Sequence, residues 1–309
     1  MDERERAGPG KVLLTGWFSF RDGEATAGDV LALRRVEEVL RGSGTSYDVA
    51  WSPGFLPDAL HLDNARPGDY THLVFVCGPL HGPQVEDLHR RFAHCVRIAV
   101  GTSVIDPDAA AATGFHRVLA RDAPGSAPSE DLAARAPAVP ARPVVGVILT
   151  HGQQEYGEQR RHGQVADRVT RWLAGKDCAR LELETRLDTR DWHLSATPAQ
   201  VQSVLARLDL VVTDRLHGLV IALRVGTPVL AVDPVAGGAK VTAQARACGW
   251  PALLSAEQLD ERRLERWWDW CLTSGRVAAR QVRDAFRDDR VPDGADRLME
   301  VLAPRPAAG

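Results

Sequence analysis

Residues 211–233 read VVTDRLHGLVIALRVGTPVLAVD, a strand, a helix and a second strand in succession. The apolar runs 209–213 and 228–232 have strand length, and the apolar positions of 217–225 have helical spacing. Two strands joined through one helix predict parallel pairing with a right-handed crossover. Ligands of such sheets bind beyond the carboxyl ends of the strands, so we expect the chemistry in the turn after Thr213.

The same alternation extends outward in both directions. Short apolar runs that predict strands occupy Lys11–Gly16, Tyr47–Trp51, His72–Gly78, Val96–Gly101, Pro143–Thr150 and Arg180–Glu184, with one further short element in Gly114–Ala120. Helical spacing occurs in Asp29–Arg41, Gln84–His94, Gln164–Ala174, Thr197–Leu208 and Glu257–Asp289. Thr197 is the expected cap of its helix, and Pro198 its first residue. The pattern predicts an α/β fold of two doubly wound, Rossmann-like parallel-sheet domains that face a cleft.

Domain boundaries follow from changes in composition. We expect a loose tail at 1–10, an N-terminal α/β domain at 11–122, a linker at 123–142, a C-terminal α/β domain at 143–275 and a helical tail at 276–309. The linker is rich in proline and alanine and shows no clean periodicity. The length of 309 residues also fits two domains of roughly 150 residues each.

Composition excludes several classes of protein. Hydrophobic residues make up 44% and charged residues 26%, which disfavours a disordered or fibrous chain. The net charge of −3 disfavours a nucleic-acid binder that relies on bulk positive charge. Five cysteines without a CxxC pair disfavour a disulfide framework and a cysteine zinc site, and predict a reducing compartment. With neither a signal-peptide core nor an uninterrupted apolar span, we expect a cytoplasmic protein.

Three basic or ionisable side chains follow neighbouring strand ends in the second half. Arg215 and His217 lie where a helix begins, and free N–H groups and the helix dipole attract anions there. A guanidinium grips a carboxylate or phosphate with two hydrogen bonds, and an imidazole exchanges protons near neutral pH. Lys240, one of only three lysines, follows the next strand. The three side chains are therefore expected to line one anion pocket, although an Arg-x-His pair at a helix start is also a common cap or surface pair.

The stretch TDRLHGLVIALRVGTPVLAVDPVAGGAKV, residues 213–241, resembles the signature segment of the polysaccharide pyruvyl transferases. The opening LLTGWFSFRDGEATAGDVLAL at 13–33, VGTSVID at 100–106 and FHRVLARD at 115–122 resemble further parts of that family. The resemblance extends from residue 11 to about residue 255. The chain departs from the family in its short length and in the loop Cys77–Pro83, where many members have a run of glycines.

The resemblance implies a two-domain fold similar to that of the GT-B glycosyltransferases. It also implies a cytoplasmic bacterial transferase of exopolysaccharide or cell-wall synthesis, associated peripherally with the glycan assembly machinery. The implied reaction moves a pyruvyl group from phosphoenolpyruvate to sugar hydroxyls, which forms a ketal and releases phosphate. Neither a cofactor nor a metal ion is expected.

Roles for single residues follow from matching this chemistry to the chain. Donor binding is assigned to Arg215, Lys240, Arg121 and Thr213, catalysis to His217 and Asp29, and acceptor contact to His151 and Asp214. Each assignment has a structural alternative: Asp29 also fits a helix-capping residue, and Arg121 with Asp122 also fits a surface ion pair. Asp29 and Asp214 are both open as the base or as the group that orients the acceptor.

Two other functions are also compatible with the sequence. One is a nucleotide-sugar glycosyltransferase of the same architecture, in which Glu155 or Asp233 binds the ribose hydroxyls. The other is a family member that binds a sugar without turnover. Arg215, His217 and Lys240 favour catalysis over simple binding.

Overall fold

The structure is a computed structural model that describes residues 10–150, 154–288 and 294–302. The described residues form ten strands and ten α-helices. The strands are β1 (Val12–Thr15), β2 (Tyr47–Val49), β3 (His72–Val76), β4 (Val96–Ser103), β5 (Arg117–Asp122), β6 (Val144–Ile148), β7 (Ala179–Glu182), β8 (Leu210–Thr213), β9 (Val229–Asp233) and β10 (Leu253–Ser255). The helices are α1 (Ala27–Gly42), α2 (Pro83–Arg91), α3 (Ala110–Thr113), α4 (His162–Ala174), α5 (Pro198–Leu205), α6 (Leu216–Val225), α7 (Lys240–Ala247), α8 (Glu261–Leu272), α9 (Ser274–Ala285) and α10 (Gly294–Leu302).

The chain divides into two compact units, Met1–Val139 and Pro140–Gly309. The first contains a five-stranded sheet in the order β2-β1-β3-β4-β5, and the second a five-stranded sheet in the order β10-β9-β8-β6-β7. Every strand pair in both sheets is parallel. Two parallel sheets with helical connections confirm the predicted α/β class. The division between the units falls inside the predicted linker segment.

The central strands of the second sheet are apolar because both of their faces are covered. All residues of β8 and β9 are buried, which explains why they read as continuous hydrophobic runs. Helices α6, α7 and α8 pack against this sheet, and α9 packs on α6 and α8. The predicted helical segment 257–289 thus forms α8 and α9, and the buried Trp268 packs edge-on against Trp172 of α4.

Segment 123–139 packs on the first unit. A 3₁₀ turn, Leu132–Arg135, lies against α1, and the Leu132 side chain covers Gly101 at the carboxyl end of β4. Arg121 forms an ion pair with Asp131 in the same segment. These contacts make it a part of the first unit.

The loop Cys77–Pro83, which follows β3, contains three residues with positive φ angles. Cys77, Gly78 and Gly82 have φ values of 62°, 74° and 87°. Glycine adopts such angles at little cost, whereas a side chain at Cys77 costs roughly 1 kcal/mol or more. The chain therefore makes a sharp turn after β3 although this loop has fewer glycines than the run found in many family members.

Several helix ends confirm the expected signals, and others differ. Thr197 caps α5 by accepting the Gln200 N–H, and Pro198 is its first residue. The predicted helix to Leu208 ends at Leu205, since Asp209 must turn back to accept the N–H of Val144 at the start of β6. Within the described residues, no helix combines the length and apolar character needed to cross a bilayer.

Candidate functional site

The turn between β8 and α6 is held tightly against the sheet. The buried Thr213 hydroxyl donates to the Ile148 carbonyl at 2.8 Å and accepts the Arg215 N–H at 3.0 Å. Gly218 lies so close that a Cβ there would approach Thr213 Oγ1 to 2.3 Å. Thr213, predicted to bind the donor, instead fixes the geometry of the turn from inside the protein.

The N-terminus of α6 carries no side-chain cap. Arg215 is its N-cap residue, and its side chain does not bond back to the helix. The first helical hydrogen bond at this end runs from the Leu219 N–H to the Arg215 carbonyl, so the preceding N–H groups have no partner within the helix. His217 lies in this first turn with an exposed side chain. The helix end therefore combines free donors, a positive dipole end, a guanidinium and an imidazole.

Arg215 is positioned by a carboxylate that follows β7, the strand on the far side of β6 from β8. Its Nη1 donates to Glu184 Oε1, which also accepts the N–H groups of Thr185 and Arg186. Partial burial lowers the pKa of the Arg215 guanidinium from its usual value. No acceptor is assigned to its Nε and Nη2 among the described residues, so these donors remain for a ligand.

Asp214 is a buried acid beneath the same turn. Its Oδ1 accepts the Thr150 N–H at 2.8 Å, while Oδ2 is buried and finds no hydrogen-bond partner within the described segments. Burial, together with the nearby negative charge of Asp233, raises the pKa of Asp214 to about 7. The carboxyl group links the ends of β8 and β6 and does not reach the surface.

The end of β9 is organised by a second buried carboxylate. Asp233 accepts the N–H groups of Val235, Ala239 and Thr242 and thereby fixes both the loop 234–239 and the start of α7. Because Asp233 is fully buried and its oxygens are occupied, it cannot bind the ribose of a nucleotide sugar. The side chain of Glu155, the other acid considered for that role, lies outside the described residues.

Lys240 is the first residue of α7. Its Nζ lies 5.6 Å from the centre of the Tyr156 ring, a cation–π distance. Tyr156 belongs to the loop after β6, which is tied to the loop after β9 by hydrogen bonds from Arg161 N to Pro234 O at 2.8 Å and from Ala236 N to Gln159 O at 2.8 Å. The loop after β6 and the loop after β9 therefore lie side by side at the carboxyl end of the second sheet.

The structure brings five of the eight predicted site residues to one edge of the second sheet. Arg215, His217, Asp214 and Thr213 lie at the end of β8, and Lys240 follows β9, the strand paired with β8. His151 lies outside the described residues. Asp29 and Arg121 belong to the first unit.

The two first-unit residues make structural contacts. Asp29 forms a capping box with Thr26, whose hydroxyl donates to Asp29 Oδ2 at 2.8 Å and accepts the Asp29 N–H. Arg121 forms ion pairs with Asp122 and Asp131 and donates to Ser103 Oγ at 2.6 Å. These contacts occupy the guanidinium and account for both side chains without a ligand.

Sequence reasoning missed the residues that position the site. Glu184 follows the edge strand β7, and the rule that locates Arg215 at a strand end would also have located Glu184. Thr150 and the capping role of Asp233 depend on contacts between segments that are distant in the chain. Among the described residues, no group of three or more His, Cys, Asp or Glu side chains is arranged to hold a metal ion.

Comparison with solved structures returns glycosyltransferases at low similarity. The spinosyn rhamnosyltransferase SpnG complexed with thymidine diphosphate is 13% identical, with 95% of this chain and 100% of that chain covered and a TM-score of 0.34. SnogD from Streptomyces nogalater is 14% identical over 96% and 100% of the two chains, with a TM-score of 0.31. The E. coli heptosyltransferase WaaC with ADP is 14% identical over 86% and 99%, with a TM-score of 0.26. At these scores the likeness adds nothing to the argument about the site.

The comparison with protein families is more specific. No curated protein sequence matches the chain. The family model described as polysaccharide pyruvyl transferase matches residues 174–234, which carry Glu184, Asp214, Arg215 and His217. The segment around the Arg-Leu-His turn therefore matches the polysaccharide pyruvyl transferase family, and this confirms the resemblance seen in the sequence.

Proposed function

We propose that the protein transfers a pyruvyl group from phosphoenolpyruvate to two hydroxyl groups of a saccharide, with release of phosphate. The observation that carries the proposal is the uncapped N-terminus of α6, where Arg215 and His217 stand beside free N–H groups. The match of this same segment to the pyruvyl transferase family supports it. We further propose that the protein acts in the cytoplasm, beside the machinery that assembles glycans.

Donor binding would use the cationic groups at two neighbouring strand ends. Phosphoenolpyruvate is compact and carries a carboxylate and a phosphate, so it needs converging cations and N–H groups. In the proposal Arg215 and the first turn of α6 hold one anionic group, and Lys240 at the start of α7 holds the other. Glu184 keeps the guanidinium oriented, so less side-chain freedom is lost when the donor binds.

The proposed reaction balances with two saccharide hydroxyls. One proton is added to the methylene carbon of phosphoenolpyruvate, and positive charge develops at the central carbon. The first hydroxyl oxygen attacks that carbon, the bond to the phosphate oxygen breaks, and the second hydroxyl oxygen closes the ketal. Of the two hydroxyl protons, one replaces the proton spent on the methyl group and the other leaves with phosphate. His217, exposed beside Arg215, is proposed to transfer these protons.

Asp214 is proposed as a positioning residue. Its carboxyl group is buried beneath the turn and holds the backbone at Thr150, where the loop after β6 begins. In this role it sets where that loop stands against α6. The loop contains Tyr156, the aromatic neighbour of Lys240.

Replacement of Arg215 tests the donor site. Phosphate release from phosphoenolpyruvate is measured with a panel of galactosyl, glucosyl and mannosyl acceptors. The Arg215→Ala variant removes a charge-assisted contact and should cost on the order of 2–4 kcal/mol in transition-state binding. His217→Ala should abolish the release while leaving the affinity for phosphoenolpyruvate less affected. Arg224→Ala, an exposed arginine in the last turn of the same helix, is the matched control.

Two results would contradict the proposed donor site. A loss in kcat/KM below about threefold for Arg215→Ala would contradict an anion-holding role for this residue. Stabilisation of the protein by a nucleotide sugar, without stabilisation by phosphoenolpyruvate, would contradict the choice of donor.

A further inference from the structure

The second unit contains a large cavity beside Arg215, the residue proposed to bind the donor. Its volume is about 980 Å³, at the upper end of the range of ordinary ligand pockets. Val147 of β6 and Leu149, which directly follows that strand, line one side of it, and Ala166 and Leu173 of α4 line another. The exposed edge strand β7 and the loop 192–195 complete it.

The loop over this cavity presents an aromatic platform. Trp192 is 86% exposed, and its ring stacks on His193 with the ring centroids 3.9 Å apart and the planes tilted by 31°. The imidazole Nδ1 of His193 in turn lies 2.9 Å from Asp191 Oδ1. A bond from Asp188 N to Ser195 O at 3.1 Å closes the loop on itself. Because the Trp192 indole is exposed, it contributes little to the hydrophobic core. Its loop holds it in place, so the ring can pack against a ligand.

The polar groups of the cavity include both acceptors and donors. The carboxylates of Asp167 and Glu182 line it and have neither an ion pair nor a side-chain hydrogen bond within the described ranges. The Ser195 hydroxyl and the guanidinium of Arg180 add donors, although Arg180 Nη1 already donates to the Leu173 carbonyl. The Thr170 hydroxyl donates to the Ala166 carbonyl and can only accept a further hydrogen bond. A neutral ligand with many hydroxyl groups can use both kinds of partner, whereas the phosphates of a nucleotide would face unpaired carboxylates.

The cavity of the first unit differs in this respect. It measures about 400 Å³, and four of its five charged side chains form ion pairs, since Arg21 and Arg91 both contact Asp63 and Asp87 contacts Arg90. Its lining contains no exposed aromatic ring. Within the described parts of the chain, the cavity of the second unit therefore offers the better combination of apolar surface and unpaired polar groups.

We infer that the cavity between α4, β7 and the Trp192 loop binds a neutral saccharide. The C–H face of a sugar ring packs on the Trp192 indole, and the ring hydroxyls donate to Asp167 and Glu182. Glu184 lines this cavity and also holds Arg215, so a saccharide there lies next to the anion site. That this saccharide is the acceptor rests on the proposed function, but its binding does not.

Direct binding of neutral sugars to the full-length protein tests the inference without phosphoenolpyruvate. Saturation-transfer NMR is recorded with methyl β-galactoside, methyl β-glucoside, methyl α-mannoside and lactose. At least one should bind to the wild-type protein. Trp192→Ala should weaken that binding about tenfold, and Glu182→Gln should also weaken it. The matched controls are Phe286→Ala, at the exposed C-cap of α9, and Asp269→Asn, on the exposed face of α8; both should leave the binding unchanged.

The outcomes separate this inference from the proposed function. Sugar binding that depends on Trp192 supports the inference even if phosphoenolpyruvate is not turned over. Absence of binding by all four sugars, or binding unchanged in Trp192→Ala, overturns it even if phosphate release depends on Arg215. Binding that is lost in Gln84→Ala, a variant of the first-unit cavity, and retained in Trp192→Ala also overturns it.

Discussion

The Arg215 guanidinium contacts a carboxylate that lies 31 positions earlier in the chain. The pair is partly exposed, so its net contribution to stability is small, and its main effect is orientation. The sequence was sufficient to select Arg215, because ligands of parallel sheets bind beyond the carboxyl ends of the strands and Arg215 follows the end of a predicted strand. It did not identify Glu184 as a partner, since pairing requires β7 and β8 to lie on either side of β6.

The buried Asp214 predicts a pH-dependent stability. In the unfolded chain this carboxyl group ionises near pH 3.8, whereas burial raises its folded-state pKa to about 7. Between these values the folded state holds the proton and the unfolded state does not, so the free energy of unfolding falls as the pH rises. The shift corresponds to a loss on the order of 4 kcal/mol, complete above about pH 7.

Urea unfolding of Asp214→Asn at several pH values measures this effect. The variant keeps an oxygen that accepts the Thr150 N–H but has no charge to bury. Its stability relative to the wild type should therefore increase from about pH 4 to about pH 7 and then level off. The exposed Asp269→Asn is the control, and a difference between Asp214→Asn and wild type that does not vary with pH would contradict the assignment.

At the scale of elements, the close contact between α6 and β8 holds Arg215 and His217 at the end of the sheet, where we propose that the donor binds. Gly218 permits it, because a Cβ at this position would meet Thr213 Oγ1 at 2.3 Å and Thr213 Cβ at 3.1 Å. Thr213 is buried and hydrogen-bonded on both sides, so it cannot move aside. The helix itself would have to shift away from the sheet.

Gly218→Ala should therefore destabilise the protein by about 1–3 kcal/mol, the usual cost of overpacking. It should also raise the KM for phosphoenolpyruvate, the proposed donor, because Arg215 moves with the start of α6. Gly163→Ala is the matched control, since Gly163 lies in the first turn of α4 with no atom within 4 Å of the added Cβ. Equal stability of the two variants in urea unfolding would show that the α6 contact is looser than described.

At the scale of the whole molecule, each unit has its own hydrophobic core. One cluster of buried residues lies within the second unit, and the two others lie within the first. Leu132 packs with the first-unit core although it follows the last strand of that sheet. We therefore place the end of the first unit at Val139, close to the C-terminal end of the segment that was predicted as a linker.

Fragments of the chain test this boundary. A fragment of residues 1–139 should unfold cooperatively on its own, because it retains its sheet and core. A fragment of residues 1–122 loses the Leu132 contact with Gly101 and the Arg121–Asp131 pair, and should be less stable by at least about 2 kcal/mol. Circular dichroism during urea unfolding compares the two, and equal midpoints would contradict the role of segment 123–139.

The sequence alone determined the α/β class, the parallel strands, most helix positions and the place of Arg215 and His217 at the turn where we propose that the donor binds. These features depend on local hydrophobic periodicity, capping residues and strand ends, which can be read within a short window. Only the tertiary structure decided that Glu184 holds Arg215, that the buried Asp214 accepts the Thr150 N–H, that the buried Asp233 fixes the start of α7, and that Trp192 lines a cavity. Those facts depend on strand order and on which groups lose contact with water, and both are set by contacts between segments distant in the chain.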